Sequence, residues 1–271
     1  TYDELINAIC FKLSIQPEEV LSYTIFKRSY DARRSAMCWI YALDVEVQNE
    51  AEILENLFNS PHVSQTPDMS YTHVGQAPAN LTERPIVVGF GPCGFFAALT
   101  LAQMGFKPIV LERGKEVRER TKDTWDLWRK NILNPESNVQ FGEGGAGTFS
   151  DGKLYSQARD PRYLGRKVIQ EFIQAGAPDE IAYENHPHIG TFRLVGMVEK
   201  IRETIIGLGG EIRFEHKVSD VLIDEVAGVR QIRGVVLADG SELLSNHIVM
   251  ALGHSSRDTF KMLFERGVYI E

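Results

Sequence analysis

The sequence predicts an α/β fold in which a parallel sheet and a β-meander are preceded by a small α+β domain. Three short apolar runs support this fold class. One ends on the glycine-rich turn at 89–94, one ends on Glu112, and one ends on residues 251–253. Continuously apolar runs of this length, bounded by glycine, are typical of buried parallel strands. Since the carboxyl ends of parallel strands share one edge of a sheet, we expect the three segments to meet there.

Residues 1–57 are predicted to form the small α+β domain. Its opening residues repeat apolar side chains at helical spacing, and two strand candidates follow at 23–27 and 38–47. The second candidate alternates large apolar residues with smaller or charged ones, as a half-buried antiparallel strand does. Asn49 is expected to cap a short helix that ends at Leu57.

The turn between the two strand candidates carries four basic residues, Lys27, Arg28, Arg33 and Arg34. Two interpretations of this cluster are open. A solvated turn is favoured, because short clusters of charge usually face water. Contact with an anionic partner is the alternative.

Residues 58–84 are polar, are interrupted by proline and lack any periodicity. Such a segment is typical of a linker that runs over a surface. The sequence therefore predicts three parts: the small domain at 1–57, the linker at 58–84, and a larger domain at 85–271.

The turn at the start of the larger domain follows the pattern G-x-G-x-x-G. Gly89 and Gly91 allow a tight turn and a close approach of the main chain to a pyrophosphate, and Gly94 lets the next helix pack against the strand. Glu112 lies eighteen residues beyond Gly94, near the spacing of about 20 at which an acid binds ribose hydroxyls. This pattern predicts a Rossmann-like dinucleotide-binding unit. An ordinary glycine turn is the alternative.

The three cysteines, Cys10, Cys38 and Cys93, show no paired spacing. Their pattern suits a reducing cytoplasm and argues against disulfide-reductase chemistry. Cys93 follows Pro92 at a predicted helix N-terminus, where a thiolate would be stabilised. A small residue tolerated in the glycine turn is the favoured interpretation of Cys93.

A predicted polar helix at 116–133 leads into a second glycine-rich stretch at 140–153. The backbone N–H groups of such a loop can bind an anion, or the loop can lie against a flat ring. A flexible surface loop is the alternative. The candidate binding residues in this loop are Gly145, Ala146, Gly147, Thr148, Ser150 and Lys153.

Beyond this loop the sequence predicts two amphipathic helices, one over 168–173 and one over 194–208. Strands are then expected at 211–215, 218–224 and 230–237. The tight turn at Asp239-Gly240 suits a β-meander that precedes the last apolar run.

Together these segments resemble the flavoproteins of the glutathione-reductase type, which have two dinucleotide-binding folds. More narrowly, the stretches GEGGAGTFSDGKL, HIGT and ALGHSSRDT are similar to those of a bacterial family of uncharacterised FAD-dependent dehydrogenases, also called NAD(FAD)-utilising. The resemblance covers nearly the whole chain. It implies that residues 85–271 form an FAD-binding domain.

The resemblance also implies roles for individual residues. Glu112 would accept hydrogen bonds from both ribose hydroxyls, and Val218 would contact the adenine edge through its main chain. Lys153 could favour a reduced, anionic flavin. The remaining implied FAD-binding residues are Gly89, Gly91, Pro92, Cys93, Gly94, Arg113, the loop residues named above, Ala251, Leu252 and Gly253.

In the resembled family a substrate or cap domain and a last flavin-binding motif follow the A-x-G strand at 251–253. Neither is visible before Glu271. We therefore expect a truncated FAD domain with little activity of its own.

The resemblance implies that the protein is an FAD-dependent oxidoreductase whose substrate is not assigned. Its reductant would be NAD(P)H or a substrate. A second nicotinamide fingerprint is not found in the sequence. The alternative is an FAD-binding module with a structural or redox-sensing role and no turnover. Because flavin carries out redox chemistry itself, no catalytic side chain is assigned.

Composition limits the other classes of function. The 271 residues carry a formal net charge of -8, with 43% hydrophobic and 24% charged residues. This balance predicts a soluble, cytoplasmic protein and argues against nucleic-acid binding, and no apolar run approaches the roughly 20 residues that span a bilayer. His186 and His188 lack acidic or cysteine partners at ligand spacing, so no metal site is expected. The sequence assigns no oligomeric state.

Overall fold

The structure, a computed structural model, describes residues 2–33, 36–154 and 158–270. The chain divides into two compact units. The first comprises Thr1–Tyr71, Leu154–Gln170 and Asp179–Pro187. The second comprises Thr72–Lys153, Glu171–Pro178 and His188–Glu271. This division differs from the predicted one, because two segments from the predicted FAD domain group with the N-terminal residues.

The first unit contains the predicted α+β elements. They are α1 (Tyr2–Leu13), a 3-10 turn (Pro17–Glu19), β1 (Val20–Asp31), β2 (Cys38–Val47) and α2 (Glu50–Asn56). The two strands pair antiparallel from Val20 opposite Val47 to Asp31 opposite Cys38. Strand β1 is therefore longer than the run predicted at 23–27, because both of its ends continue the pairing with β2.

Asn49 precedes α2 as predicted, but it does not cap the helix through its side chain. It has a φ of 56°, and its side chain makes no capping hydrogen bond. Its main-chain carbonyl instead accepts from the N–H groups of Glu52 and Ile53, at 3.0 and 3.2 Å.

Arg28, one of the four basic residues near the predicted turn, is tied into the first unit. Its N–H donates to the carbonyl of Tyr183 at 2.7 Å, and its Nε donates to the Glu184 carboxylate at 2.8 Å. The guanidinium also lies 4.7 Å from the ring centre of Trp39. Arg28 is therefore not a freely solvated residue, while Arg34 lies outside the described residues.

The remaining strands lie in the second unit, as do the remaining α-helices except for residues 164–170, which belong to the first unit. The strands are β3 (Ile86–Val88), β4 (Ile109–Leu111), β5 (Glu211–Arg213), β6 (Val218–Val226), β7 (Val229–Leu237), β8 (Glu242–Leu244) and β9 (Ile248–Met250). The helices are α3 (Pro92–Gln103), α4 (Val117–Lys130), α5 (Leu164–Gln174), α6 (Thr191–Gly207) and α7 (Arg257–Glu265).

The four-stranded sheet has the order β5-β4-β3-β9, and all of its pairings are parallel. Strands β3 and β4 are buried along their whole length, which explains their continuous apolar sequence. In the register, Val88 is paired with both Leu111 and Met250. The three strands therefore end at the same level, and the segments that follow them share one edge of the sheet.

Strands β6, β7 and β8 form a three-stranded antiparallel sheet in consecutive order, which is a β-meander. Its buried residues share one hydrophobic cluster with the parallel sheet, in which Val221 and Val235 lie together with Ile86 and Leu111. The predicted fold class, a Rossmann-like α/β domain with a parallel sheet and a meander preceded by α+β elements, is confirmed.

Candidate functional site

A cavity of about 440 Å³ lies at the carboxyl edge of the parallel sheet. Residues from every predicted segment line it, since the register brings the ends of β3, β4 and β9 together. The predicted site residues that line this cavity are Gly89, Gly91, Pro92, Cys93, Glu112, Arg113, Gly145, Ala146, Gly147, Val218, Ala251, Leu252 and Gly253. That they bind FAD stays a prediction.

The turn after β3 needs glycine at two positions for steric reasons. Gly89 has a φ of 98°, and a Cβ there would lie 2.4 Å from the carbonyl oxygen of Ala251. A Cβ on Gly94 would lie 1.9 Å from the carbonyl oxygen of Gly89. Gly94 does not itself line the cavity. Its role in the structure is to let α3 start directly against the turn.

Helix α3 begins at the cavity, with Gly91 as its N-cap and Pro92 at its first position. Proline suits this position because the first N–H groups of a helix have no intrahelical acceptor. Cys93 follows and is exposed. The start of α3 therefore presents free N–H groups and the positive end of the helix dipole to the cavity, an arrangement suited to an anion.

The second glycine-rich segment packs directly on this turn. The N–H of Gly144 donates to the carbonyl of Phe90 at 2.9 Å. A Cβ on Gly145, whose φ is 62°, would lie 3.0 Å from Cα of Gly91. The main chains of the two glycine segments are thus in contact, with no side chain between them.

Glu112 is buried, and its carboxylate accepts three main-chain hydrogen bonds. The N–H of Phe90 donates to Oε2 at 2.7 Å. The N–H groups of Gly114 and Gly142 donate to Oε1 at 2.9 and 3.0 Å. A carboxylate has about four acceptor positions, so about one remains after these three hydrogen bonds. That Glu112 accepts from ribose hydroxyls stays a prediction. Glu112 also holds the turn, β4 and the glycine-rich loop together.

Arg113 lies at the rim of the cavity in a network of ion pairs. Its guanidinium bonds Glu136 at 2.6 Å and Asp258 at 2.9 Å, and Lys217 contacts the same two carboxylates at 2.9 Å. Hydrogen bonds from Arg113 hold the pKa of Asp258 well below its ordinary value. The Arg113 guanidinium also lies 4.2 Å from the ring centre of Phe141.

Three other predicted residues lie outside the cavity lining. Thr148 is buried, and its hydroxyl lies 3.4 Å from the Glu143 carbonyl. The hydroxyl of Ser150 donates to the carbonyl of Gly147 at 2.7 Å. The side chain of Lys153 is 68% exposed and lies 3.5 Å from Asp151. The cavity lining from this loop ends at Gly147, within a 3-10 turn, Ala146–Phe149.

Several residues that line the cavity have no counterpart in the predicted set. They are Val88, Phe90, Leu111, Gln140, Phe141, Gly142, His216, Lys217, His254, Ser255, Ser256 and Thr259. His216 and Lys217 directly precede Val218, a predicted site residue. This position in the chain is the sequence signal that could have placed them at the cavity. Phe141 has no pattern of its own in the sequence.

Among the described residues, no group of three or more His, Cys, Asp or Glu side chains is arranged to hold a metal ion. In the same parts of the chain, every helix is too short or too polar to cross a membrane.

Glu143, in the glycine-rich loop, is a buried acid that no sequence pattern singled out. Its Oε2 accepts from the N–H of Val117 at 2.7 Å and from Arg202 at 3.1 Å. Its Oε1 has no partner among the described residues. Burial raises the pKa of Glu143 to about 7, with further contributions from the nearby carboxylates of Glu116 and Glu199.

This pKa predicts how stability changes with pH. The unfolded acid has an ordinary pKa of 4.5, so between about pH 7 and 4.5 the folded chain holds a proton that the unfolded chain lacks. The contribution of Glu143 to the free energy of unfolding therefore rises as the pH falls through 7, by up to about 1.4 kcal/mol per pH unit. Urea unfolding of wild type and Glu143→Gln from pH 8 to 5.5 should show the wild type gaining stability relative to the variant.

Glu119→Gln is the matched control, because Glu119 is 55% exposed, pairs with Lys122 and is not among the charges that shift the pKa of Glu143. It should keep the pH dependence of the wild type. A Glu143→Gln protein with that same pH dependence would show that Glu143 does not titrate in this range.

Val218 opens β6 at the cavity and pairs with Leu237. If the main chain of Val218 contacts the bound ligand, Val218→Ala should bind FAD nearly as the wild type does. Val218→Pro should not, because proline removes the N–H donor. FAD affinity of the folded variants, measured by titration, tests this prediction.

Val221→Ala controls for loss of stability, because Val221 is equally buried on the same strand and does not line the cavity. Equal FAD binding by Val218→Ala and Val218→Pro would contradict a main-chain contact at this position.

The fold and the cavity together define a Rossmann-like α/β protein with a cavity at the carboxyl edge of its parallel sheet. A family model, Domain of unknown function (DUF8436), matches residues 1–46. An uncharacterized protein of Clostridium beijerinckii is 40% identical over 274 residues, which cover 98% of this chain and 49% of that protein. The chain therefore spans about half the length of this relative.

Solved structures of similar fold include THI4 of Thermovibrio ammonificans, with 17% identity, a TM-score of 0.46, and coverage of 69% of this chain and 64% of that one. Thioredoxin reductase of Lactococcus lactis has 16% identity and a TM-score of 0.31, and the match covers 62% of this chain and 35% of that one. A 3-ketosteroid dehydrogenase of Rhodococcus jostii has 14% identity and a TM-score of 0.38, with coverage of 65% and 48%.

Proposed function

We propose that this chain binds FAD in the cavity at the carboxyl edge of the parallel sheet and belongs to an FAD-dependent oxidoreductase. The observation that carries the proposal is the convergence of three segments on this cavity: the turn at 89–94, the loop at 145–147 and the strand end at 251–253. Each segment offers main chain rather than bulky side chains. Open α/β sheets bind dinucleotides at such an edge.

The glycines at the cavity leave space for the pyrophosphate of FAD. Gly89 and Gly145 have positive φ values, and a Cβ on either would come within about 3 Å of neighbouring main chain. Without those side chains, the start of α3 is open to a negatively charged group. The N–H of Cys93 is the natural donor there, because Cys93 lines the cavity in the first turn of the helix.

The adenosine end would lie toward β4 and the meander. Glu112 has one acceptor position for a ribose hydroxyl, and the main chain of Val218 would contact the adenine. Lys217 and Arg113 bond acidic partners at this rim. These ion pairs neutralise the positive charge, which suits a neutral nucleoside better than an additional phosphate.

When bound, FAD would supply the redox chemistry by passing electrons between a reductant and an acceptor. The residues of this chain would bind and orient the cofactor. No side chain at the cavity is assigned a proton-transfer role. The proposed reductant is NAD(P)H or a substrate. No particular acceptor is assigned.

Titration of the purified protein with FAD, followed by its visible spectrum, tests the proposal. FAD should bind while FMN, which lacks the adenosine half, should bind far more weakly. Failure to bind FAD would overturn the proposal. NADH or NADPH added under nitrogen then separates the two classes of function. Bleaching of the flavin favours an oxidoreductase, and an unresponsive flavin favours a binding module without turnover.

A further inference from the structure

Arg120 of α4 lies at the centre of the second glycine-rich loop and is fully buried. Its Nε donates to the carbonyl of Asn138 at 2.8 Å, and its Nη2 donates to the carbonyl of Val139 at 2.8 Å. Its Nη1 donates to the carbonyl of Glu143 at 2.6 Å. A single side chain thus binds three carbonyls from both ends of the loop at 138–143.

The guanidinium has no ion-pair partner within the described parts of the chain; its bonds go to neutral oxygens. Burial lowers the pKa of Arg120 to about 10, so the group remains charged at neutral pH. A buried charge is costly unless its donors are satisfied. The loop carbonyls satisfy them, and this fixes the direction in which the loop peptides face.

The peptide bond between Glu143 and Gly144 is held by hydrogen bonds on both sides. Its carbonyl accepts from Arg120, and its N–H donates to the carbonyl of Phe90 at 2.9 Å. The C=O and N–H of a trans peptide point in opposite directions. This peptide therefore links Arg120 on one side to the turn after β3 on the other.

Gly142 shows that the loop is shaped around this side chain. Its φ is 117°, and a Cβ there would lie 2.4 Å from Cδ of Arg120. The stem of the arginine fills the space that a side chain at 142 would take. Arg120 does not line the cavity, whereas Gly142 and the following residues 145–147 do.

We propose that Arg120 is a positioning residue for the cofactor. It holds the glycine-rich loop so that residues 145–147 present their main chain to bound FAD. The proposal rests on the proposed function. It makes Arg120 necessary for FAD affinity without any contact between Arg120 and FAD.

Arg120→Lys is the test, because lysine keeps the charge but cannot bind three carbonyls with a rigid, planar group. FAD affinity of the folded variant should fall by about tenfold or more, since one hydrogen bond to a charged group can supply a factor of that size. Arg118→Lys is the matched control. Arg118 is 70% exposed on the same helix and pairs with Glu199, and its variant should bind FAD within about twofold of wild type.

Two further measurements separate positioning from a general loss of stability. Hydrogen exchange of the FAD-free protein should speed up at the amides of 138–147 in Arg120→Lys and stay unchanged in β3. In Arg120→Ala, added guanidinium ion at millimolar concentration should restore part of the FAD affinity, and sodium ion at the same concentration should not. Should the Arg120 variants fail to fold, Gly142→Ala tests the same contact and should also weaken FAD binding.

FAD affinity and loop exchange like those of wild type in Arg120→Lys would overturn the role of Arg120. Uniformly faster exchange across the unit, with no rescue by guanidinium, would overturn it as well. A wild-type protein without affinity for FAD would instead overturn the proposed function, and the exchange measurements would still decide whether Arg120 holds the loop.

Discussion

Gly94→Ala should weaken FAD binding by roughly 100-fold or more, and a 100-fold loss corresponds to about 2.7 kcal/mol. The new methyl carbon would sit 1.9 Å from the carbonyl oxygen of Gly89. Main-chain atoms cannot move aside as a flexible side chain can, so either α3 or the turn has to shift. Both border the cavity. We also expect a loss of stability of about 1–3 kcal/mol from overpacking.

The measurements are an FAD titration and a urea unfolding curve. Gly196→Ala is the matched control, because Gly196 lies within α6 and has open space where the added methyl carbon would lie. That variant should bind FAD normally and gain about 0.5–1 kcal/mol of stability. Normal FAD binding by Gly94→Ala would show that the turn and α3 are not in the tight contact that the structure shows.

Glu112→Gln should lower the stability of the FAD-free protein and should also weaken FAD binding. Its carboxylate accepts from three N–H groups, two at one oxygen and one at the other. A glutamine in either amide orientation would place its own NH2 group against at least one of these donors. A buried N–H left without an acceptor costs about 1–3 kcal/mol. FAD affinity should fall by about tenfold or more, because Phe90 and Gly142 line the cavity.

Unfolding of the FAD-free variant separates the two roles of Glu112. If this acid only bound ribose, the FAD-free variant would be as stable as the wild type, and that result would contradict its role in holding the turn and the loop together. Glu119→Gln serves as the control, since Glu119 is 55% exposed on α4 and pairs with Lys122. It should change neither stability nor FAD affinity.

The parts of the site that follow from local sequence could be predicted. Strands that end at 88, 111 and 250 are short and wholly apolar, and the glycines at 89 and 94 meet steric demands within one turn. Such patterns depend on neighbours a few residues away. The sequence therefore indicated that these segments meet at the carboxyl edge of the sheet, which is where the cavity lies.

The parts that depend on distant partners could not be predicted. Helix α4 has a polar sequence, which indicates a surface helix, so the burial of Arg120 under the loop left no signal. The same holds for Glu143, whose partner Arg202 is far along the chain. Lys153 lies outside the cavity lining, and its side chain is 68% exposed. That it lies beside a bound flavin stays a prediction.

The order of the parallel sheet also bears on how the chain acquires its structure during synthesis. Strands β3 and β4 are close in sequence, but Ile109 pairs with Glu211, and Ile86 pairs with Ile248. Contacts between residues so far apart slow folding, because a long loop has to close before they form. While the chain is being made, the outer edges of these first two strands have no partner until residues 211–213 and then 248–250 have left the ribosome. Until then those edges remain open to pairing with other chains.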